Sequence, residues 1–204
     1  MNGRENRKNE RPLPPYAETG ALPLFLRRIP WLLFLMLSAT LTGTVISAFE
    51  SAISTSVYLT AFIPMLMGTG GNAGSQASVA VIRALSLGEL PRGALGFVVR
   101  KELRVSLLTA GALALVAFVK VLTLDPLLLG NLSYGDALRA APVVSIALFL
   151  TVLLANAIGA SLPILSRRLG LDPAVTAAPF ITTAVDTVSL LVYFEVARVF
   201  IPGI

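Results

Sequence analysis

Asp186 is the residue of this sequence whose type and surroundings most directly suggest chemistry. It lies in an apolar run, residues 175–201, that is long enough to cross a bilayer. A carboxylate at membrane depth costs about 2.5–3.5 kcal/mol on insertion scales, and such residues usually face a partner, a cavity or an ion path. We therefore take Asp186 as the centre of a candidate functional site. The alternative is a structural residue that is hydrogen-bonded to a neighbouring span.

Hydroxyl side chains recur at helical spacing around this carboxylate. Thr182 and Thr183 precede Asp186 by four and three positions, and Ser189 follows it by three. Side chains at these separations share one face of a helix. Pro179, on the same face, has no backbone N–H and leaves a carbonyl one turn earlier without its usual donor. The spacing predicts an oxygen-lined stripe along this helix.

The composition restricts the ions that such a stripe would suit. The chain has 204 residues, of which 55% are hydrophobic and 13% charged, and it contains no cysteine and no histidine. The absence of both residue types excludes thiolate and imidazole metal sites, whereas carboxylates, hydroxyls and carbonyls suit hard cations such as magnesium. One Asp per chain, doubled in a symmetric dimer, would fit a partly hydrated magnesium ion.

The apolar runs predict an all-α membrane protein with a bundle of five transmembrane helices. These spans extend over about residues 30–49, 58–82, 103–122, 141–165 and 175–201. A basic, proline-containing arm, residues 1–28, precedes the transmembrane domain, residues 29–204. Thirteen of the sixteen Lys and Arg residues fall on the side of the arm. The positive-inside rule then predicts a multi-pass protein of the cell (inner) membrane, with a cytoplasmic amino terminus and an external carboxy terminus. The same placement argues against nucleic acid as a partner.

The second span contains a glycine-rich segment, residues 68–76, that is poor helix material. Irregular backbone within a membrane is tolerated only where protein buries it or water lines it. One interpretation is a broken helix that borders an ion path. The candidates for the pore lining are then Gly70, Gly71, Asn72, Gly74, Pro179 and Ser189. The other interpretation is close helix packing through Gly70 and Gly74, which have Gly-xxx-Gly spacing.

Other carboxylates lie near the ends of the predicted spans. Glu50 follows the first span and is a candidate for collecting cations at the external mouth. Glu89 and Glu102 lie among arginines, and we interpret them as solvated loop charges.

Two passages resemble the membrane domain of the MgtE magnesium transporter family. The first contains Gly-Thr-Gly-Gly-Asn-Ala-Gly from residue 68, and the second extends over residues 162–193 around Asp186. The resemblance implies five helices per subunit, a homodimer surrounded by membrane lipid, and a central pore. It also implies that Asp186, flanked by Thr182 and Thr183, binds hydrated magnesium. Full-length bacterial members carry cytoplasmic amino-terminal and CBS domains, and we expect this chain to be a form without them.

The leading hypothesis is therefore divalent-cation transport, with magnesium as the first candidate, through a dimeric channel-like pore. A sodium- or proton-coupled exchanger of divalent cations is one alternative, and a non-transporting membrane regulatory subunit is another. An enzyme is disfavoured because no nucleophile with a positioned base is evident.

Overall fold

The computed structural model describes residues 19–91, 93–130 and 132–201, and every regular element within them is helical. The chain divides into two compact units, Met1–Leu37 and Ser38–Ile204. The described part of the first unit contains the beginning of helix α1, Ala21–Ala48. The first eighteen residues of the predicted basic arm lie outside the described residues.

Helix α1 is longer than the first predicted span. It begins at Ala21 rather than at residue 30, and Pro30 lies inside it. Leu32 and Leu37, in the first unit, are more than half exposed. Exposed apolar side chains along a helix of this length suit contact with lipid acyl chains.

The later helices include one for each of the remaining predicted spans, in the same order but with different bounds. They are α2 Glu50–Thr55, a 3-10 helix Val57–Phe62, α3 Ile63–Ser86, α4 Leu95–Leu129, α5 Tyr134–Arg168 and α6 Pro173–Phe200. In the described residues, four segments are long and apolar enough to cross a membrane: Ala21–Ala48, Leu95–Leu128, Tyr134–Arg168 and Phe180–Phe200. Helix α3, which carries the second predicted span, is not among the four, since its glycines and polar residues lower its hydropathy.

The interpretation of residues 68–76 as a broken helix is wrong. Helix α3 continues through this segment, and the change of helix type comes earlier, at the 3-10 helix Val57–Phe62. The physical reason is tertiary packing. Gly70 and Gly74 allow neighbouring helices to approach closely, and that packing outweighs the low helix propensity of glycine.

Helix α5 is the central helix of the second unit and contacts α3, α4 and α6. Small residues fill its buried positions, and Ala137, Ala140 and Ala147 are fully buried. Its start is fixed by Ser133, whose hydroxyl accepts a hydrogen bond from the Asp136 N–H at 3.1 Å and donates to the Asp136 carboxylate at 2.7 Å. Such a cap satisfies an amide that the helix itself leaves unpaired.

Buried aromatic residues tie the end of α6 to the segments that precede α3. The Tyr193 hydroxyl donates to the Leu59 carbonyl oxygen at 2.9 Å. Phe194 stacks on Phe49, with ring centroids 4.8 Å apart. Because Leu59 precedes α3 and Tyr193 lies near the end of α6, these two helices run antiparallel.

Candidate functional site

Asp186 lies in the middle of α6, and its side chain is partly exposed. The two salt bridges among the described residues, Lys120–Asp125 and Arg198–Glu195, do not involve it. Its carboxylate makes no hydrogen bond to another described residue. Among the described residues of a single chain, no cation therefore neutralises the charge of Asp186, and no neighbouring span holds its carboxylate by a hydrogen bond.

The predicted oxygen-lined stripe divides between the surface and the interior of the chain. Thr182 is exposed, and Thr183 and Asp186 are partly exposed. Ser189 is fully buried, and its hydroxyl donates to the Val185 carbonyl at 2.6 Å. The hydroxyl of Ser189 is thus engaged inside the chain, whereas the two threonines lie on the accessible part of the stripe with the carboxylate.

Gly70 and Gly74 mark the surface at which α3 meets α5. A Cβ atom at Gly70 would lie 2.7 Å from Cγ2 of Thr151, and one at Gly74 would lie 2.9 Å from the Ala155 carbonyl oxygen. Gly159 of α5 approaches the Gly74 backbone more closely still. Close packing is therefore what the single chain shows for these two glycines, and their lining of a pore stays a prediction.

The same two glycines also contact α6. A Cβ atom would lie 3.1 Å from Val185 Cγ1 if added at Gly70, and 3.2 Å from Ile181 Cγ2 if added at Gly74. The order is reversed along the two helices, as expected for the antiparallel pair. The packing of α3 against α6 therefore places the region of Asp186 beside the glycine-rich segment.

The residues that directly follow these contact positions in each helix lie on one common side of the helix pair. An α-helix has about 3.6 residues per turn, so in each helix the next residue is rotated away from the contact. Because the two right-handed helices are antiparallel, both rotations bring that residue to the same side of the pair. Gly71 and Ser75 of α3 are thereby placed on the side that carries Thr182 and Asp186 of α6. The carboxylate and the accessible glycine backbone share one edge of the helix pair.

Helix α3 carries an exposed polar face next to this edge. Asn72, Ser75, Gln76 and Arg83 recur at helical spacing and are all exposed in the chain. They line a cavity of about 640 Å³. Amide and hydroxyl groups at membrane depth require water or a protein partner, because lipid tails cannot form hydrogen bonds with them.

A cavity of about 680 Å³ lies between α3, α4 and α5. Its polar lining includes Asn72 and Gln76 of α3, Glu102 of α4 and Asn156 of α5. The interpretation of Glu102 as a solvated loop charge is wrong, since this residue lies within α4 and is partly buried. The available signal was its position directly before the third apolar run, where one further helical turn brings it into the bundle.

Two further predicted site residues occupy less informative positions. Glu50 opens α2 and is exposed, which leaves its role at an external mouth a prediction. Pro179 lies within α6, and its side chain is outside the described part of the structure.

The acidic side chains of the described residues are dispersed rather than clustered. No three Asp or Glu side chains in this part of the chain gather into a group that could hold a metal ion. Magnesium commonly binds proteins through one or two carboxylates and keeps several water ligands. Asp186, with hydroxyl and carbonyl groups near it, fits that requirement.

Comparison with known proteins identifies the family of this chain. A profile of the MgtE family, described as divalent cation transporter, matches residues 63–196. The magnesium transporter MgtE of Thermus thermophilus is 37% identical over 93% of this chain. The proteins of the same name from Bacillus subtilis and Enterococcus faecalis are 35% and 33% identical over 90% and 85% of it.

The match covers 40%, 39% and 36% of these relatives, so the chain spans about two fifths of the length of the curated proteins it resembles. The described helices that can span a membrane are consistent with a multi-pass membrane protein. The family consists of transporters rather than enzymes. The chain belongs to the MgtE family of divalent cation transporters.

Proposed function

We propose that this chain transports divalent cations, with magnesium as the principal ion, across the cell membrane. The observation that carries the proposal is the partly exposed carboxylate of Asp186 beside the uncovered polar face of α3. A polar surface within membrane-spanning helices usually faces a water-filled cavity or an ion path rather than lipid. The name of the relatives, magnesium transporter, supports the choice of ion.

The path is formed by two copies of the chain. One protomer leaves Asn72, Ser75 and Gln76 exposed on α3, and such groups cannot face lipid. A second copy related by a two-fold axis would cover this face and place two Asp186 carboxylates opposite each other. Dimers with this symmetry are the commonest oligomers.

Helix α3 completes a bundle of five spans in each protomer. It contacts α5 and α6 and lies between the membrane-capable helices α1 and α4 in the chain. Its low hydropathy follows from the polar face directed at the path rather than at lipid. An odd number of spans places the two termini on opposite sides of the membrane. The distribution of Lys and Arg then assigns the amino terminus to the cytoplasm and the carboxy terminus to the outside.

Asp186 is the central ion site, with Thr182 and Thr183 beside it. The carboxylate attracts the divalent ion through its water shell, so the ion need not be fully dehydrated. An inside-negative potential drives entry by about 4.6 kcal/mol per 100 mV, twice the value for a single charge. The ion therefore moves down its electrochemical gradient without a coupled reaction.

Glu102 supplies negative charge near one approach to this path. The cavity beside Glu102 shares Asn72 and Gln76 with the cavity on the exposed face of α3. A carboxylate in a partly enclosed cavity raises the local concentration of cations. Its effect should therefore be largest at low magnesium concentration.

Magnesium flux into liposomes that contain the purified chain tests the proposal. We expect wild-type protein to conduct magnesium, and we expect the magnesium flux through Asp186→Asn to be at least tenfold lower. Glu195→Gln is the matched control, because it neutralises an exposed carboxylate on the same helix. Equal flux through wild type and Asp186→Asn would refute the site. Flux that requires an imposed sodium or pH gradient would identify a coupled exchanger instead.

A further inference from the structure

A small cavity lies where α5 ends, away from Asp186. It has a volume of about 420 Å³ and is bordered by Arg167 and Arg168 of α5 and by the link between α3 and α4. Ile164 and Ala94 contribute its apolar wall and belong to a buried hydrophobic cluster. The cavity therefore combines an apolar floor with a basic rim.

The two arginines give this cavity an unneutralised positive charge. No acidic residue is among the described residues that line the cavity, and neither arginine forms a salt bridge with any of the described residues. Arg167 donates from Nη1 to the Leu85 carbonyl oxygen at 3.2 Å, which holds its guanidinium at the rim. A guanidinium has five N–H donors, so most of them stay available to an anion.

The start of α4 adds to the attraction for an anion. Gly93 and Ala94 line the cavity immediately before the 35-residue helix Leu95–Leu129. Ala94 occupies the N-cap position and its side chain makes no capping hydrogen bond. The amino end of a helix carries partial positive charge and favours a negative group.

The position of the cavity indicates a membrane lipid as the source of that anion. Arg167 and Arg168 are the last residues of the membrane-capable helix Tyr134–Arg168, so the cavity lies where this helix leaves the apolar layer. Leu87 and Leu169, in the turns that flank it, are 61% and 76% exposed. Exposed leucines next to arginines suit an acyl chain and a phosphate in the same molecule.

We propose that this cavity binds the phosphodiester headgroup of an anionic membrane phospholipid. The phosphate lies between the guanidinium groups, which match its oxygens in planar pairs. The acyl chains continue over the exposed leucines along the bundle. A bound lipid would thus link the end of α5 to the turn between α3 and α4. Basic cavities between transmembrane helices bind anionic headgroups in this manner.

Native mass spectrometry of the full chain with phosphatidylglycerol, and separately with phosphatidylcholine, tests this proposal. We expect wild-type protein to retain phosphatidylglycerol preferentially. The double variant Arg167→Gln/Arg168→Gln should bind it roughly 25-fold more weakly, from about fivefold for each arginine near an anionic surface. The control is Arg100→Gln/Lys101→Gln, a pair of exposed neighbouring cations on α4 that does not line the cavity.

Three results would overturn the proposal. The first is equal retention of phosphatidylglycerol by wild type and the cavity variant, with both folded by size-exclusion chromatography. The second is an equal loss in the control pair, which would indicate general surface charge. The third is displacement of the lipid by millimolar inorganic phosphate, which would identify a site for a soluble anion. Partial recovery in Arg167→Lys/Arg168→Lys would support the proposal, since charge returns without the paired geometry.

Discussion

The contact between Gly159 of α5 and Gly74 of α3 yields a prediction about stability. In Gly159→Ala, the new Cβ would meet the Gly74 carbonyl oxygen and lie 2.7 Å from its carbonyl carbon and 2.9 Å from its Cα. These atoms are backbone, so neither partner can turn a side chain away. The two helices must separate at a point where α3 also contacts α6.

The expected cost follows from these distances. Overpacking costs about 1–3 kcal/mol, and a backbone-to-backbone clash belongs at the upper end. The higher helix propensity of alanine offsets about 1 kcal/mol of this destabilisation. The net destabilisation is then about 2 kcal/mol, which corresponds to a fall of about 4–8 °C in Tm for a chain of this size.

Thermal unfolding of the purified protein, followed by intrinsic fluorescence or circular dichroism, measures this change. Gly111→Ala is the matched control, because a Cβ there meets nothing within 4 Å. The control should leave Tm unchanged or raise it slightly. If Gly159→Ala were as stable as the control, the close approach of α3 to α5 would be refuted.

Two further predictions concern a buried hydrogen bond and the cavity between α3, α4 and α5. Tyr193→Phe removes the hydroxyl that donates to the Leu59 carbonyl oxygen, which should lower the free energy of unfolding by about 1 kcal/mol. Thermal unfolding should show no such loss for the control Tyr134→Phe, because Tyr134 is exposed. Glu102→Gln should reduce magnesium flux several-fold at low magnesium and low salt, and the deficit should shrink as either concentration rises. The control is Glu89→Gln, because Glu89 lies in the exposed link between α3 and α4. An equal deficit in both variants would contradict the role of the cavity.

The helical class and the order of the helices could be predicted because hydrophobic run length determines them directly. Residues 68–76 show where such reasoning fails. Their low helix propensity is a local property, whereas the contacts of Gly70 and Gly74 with α5 and α6 are set by residues far away in the sequence. Tertiary packing therefore decided the backbone conformation.

The positions of the candidate site residues could be predicted only in part, for a similar reason. An acid in the middle of an apolar run makes Asp186 the leading candidate from sequence alone. Helical spacing also grouped Ser189 with it, but spacing does not show which part of a face a neighbouring helix covers. Ser189 is buried against α3, and Glu102 enters a cavity because α4 begins earlier than its apolar run.

The central claim is that Asp186 holds a divalent ion. Isothermal titration of the purified chain with magnesium tests it most directly, with manganese, calcium and cobalt for comparison. We expect saturable magnesium binding by wild type and by Glu195→Gln, and a Kd at least tenfold higher in Asp186→Asn and Asp186→Ala, equivalent to about 1.4 kcal/mol or more. Unchanged magnesium affinity in both Asp186 variants, with the protein still folded, would contradict the account.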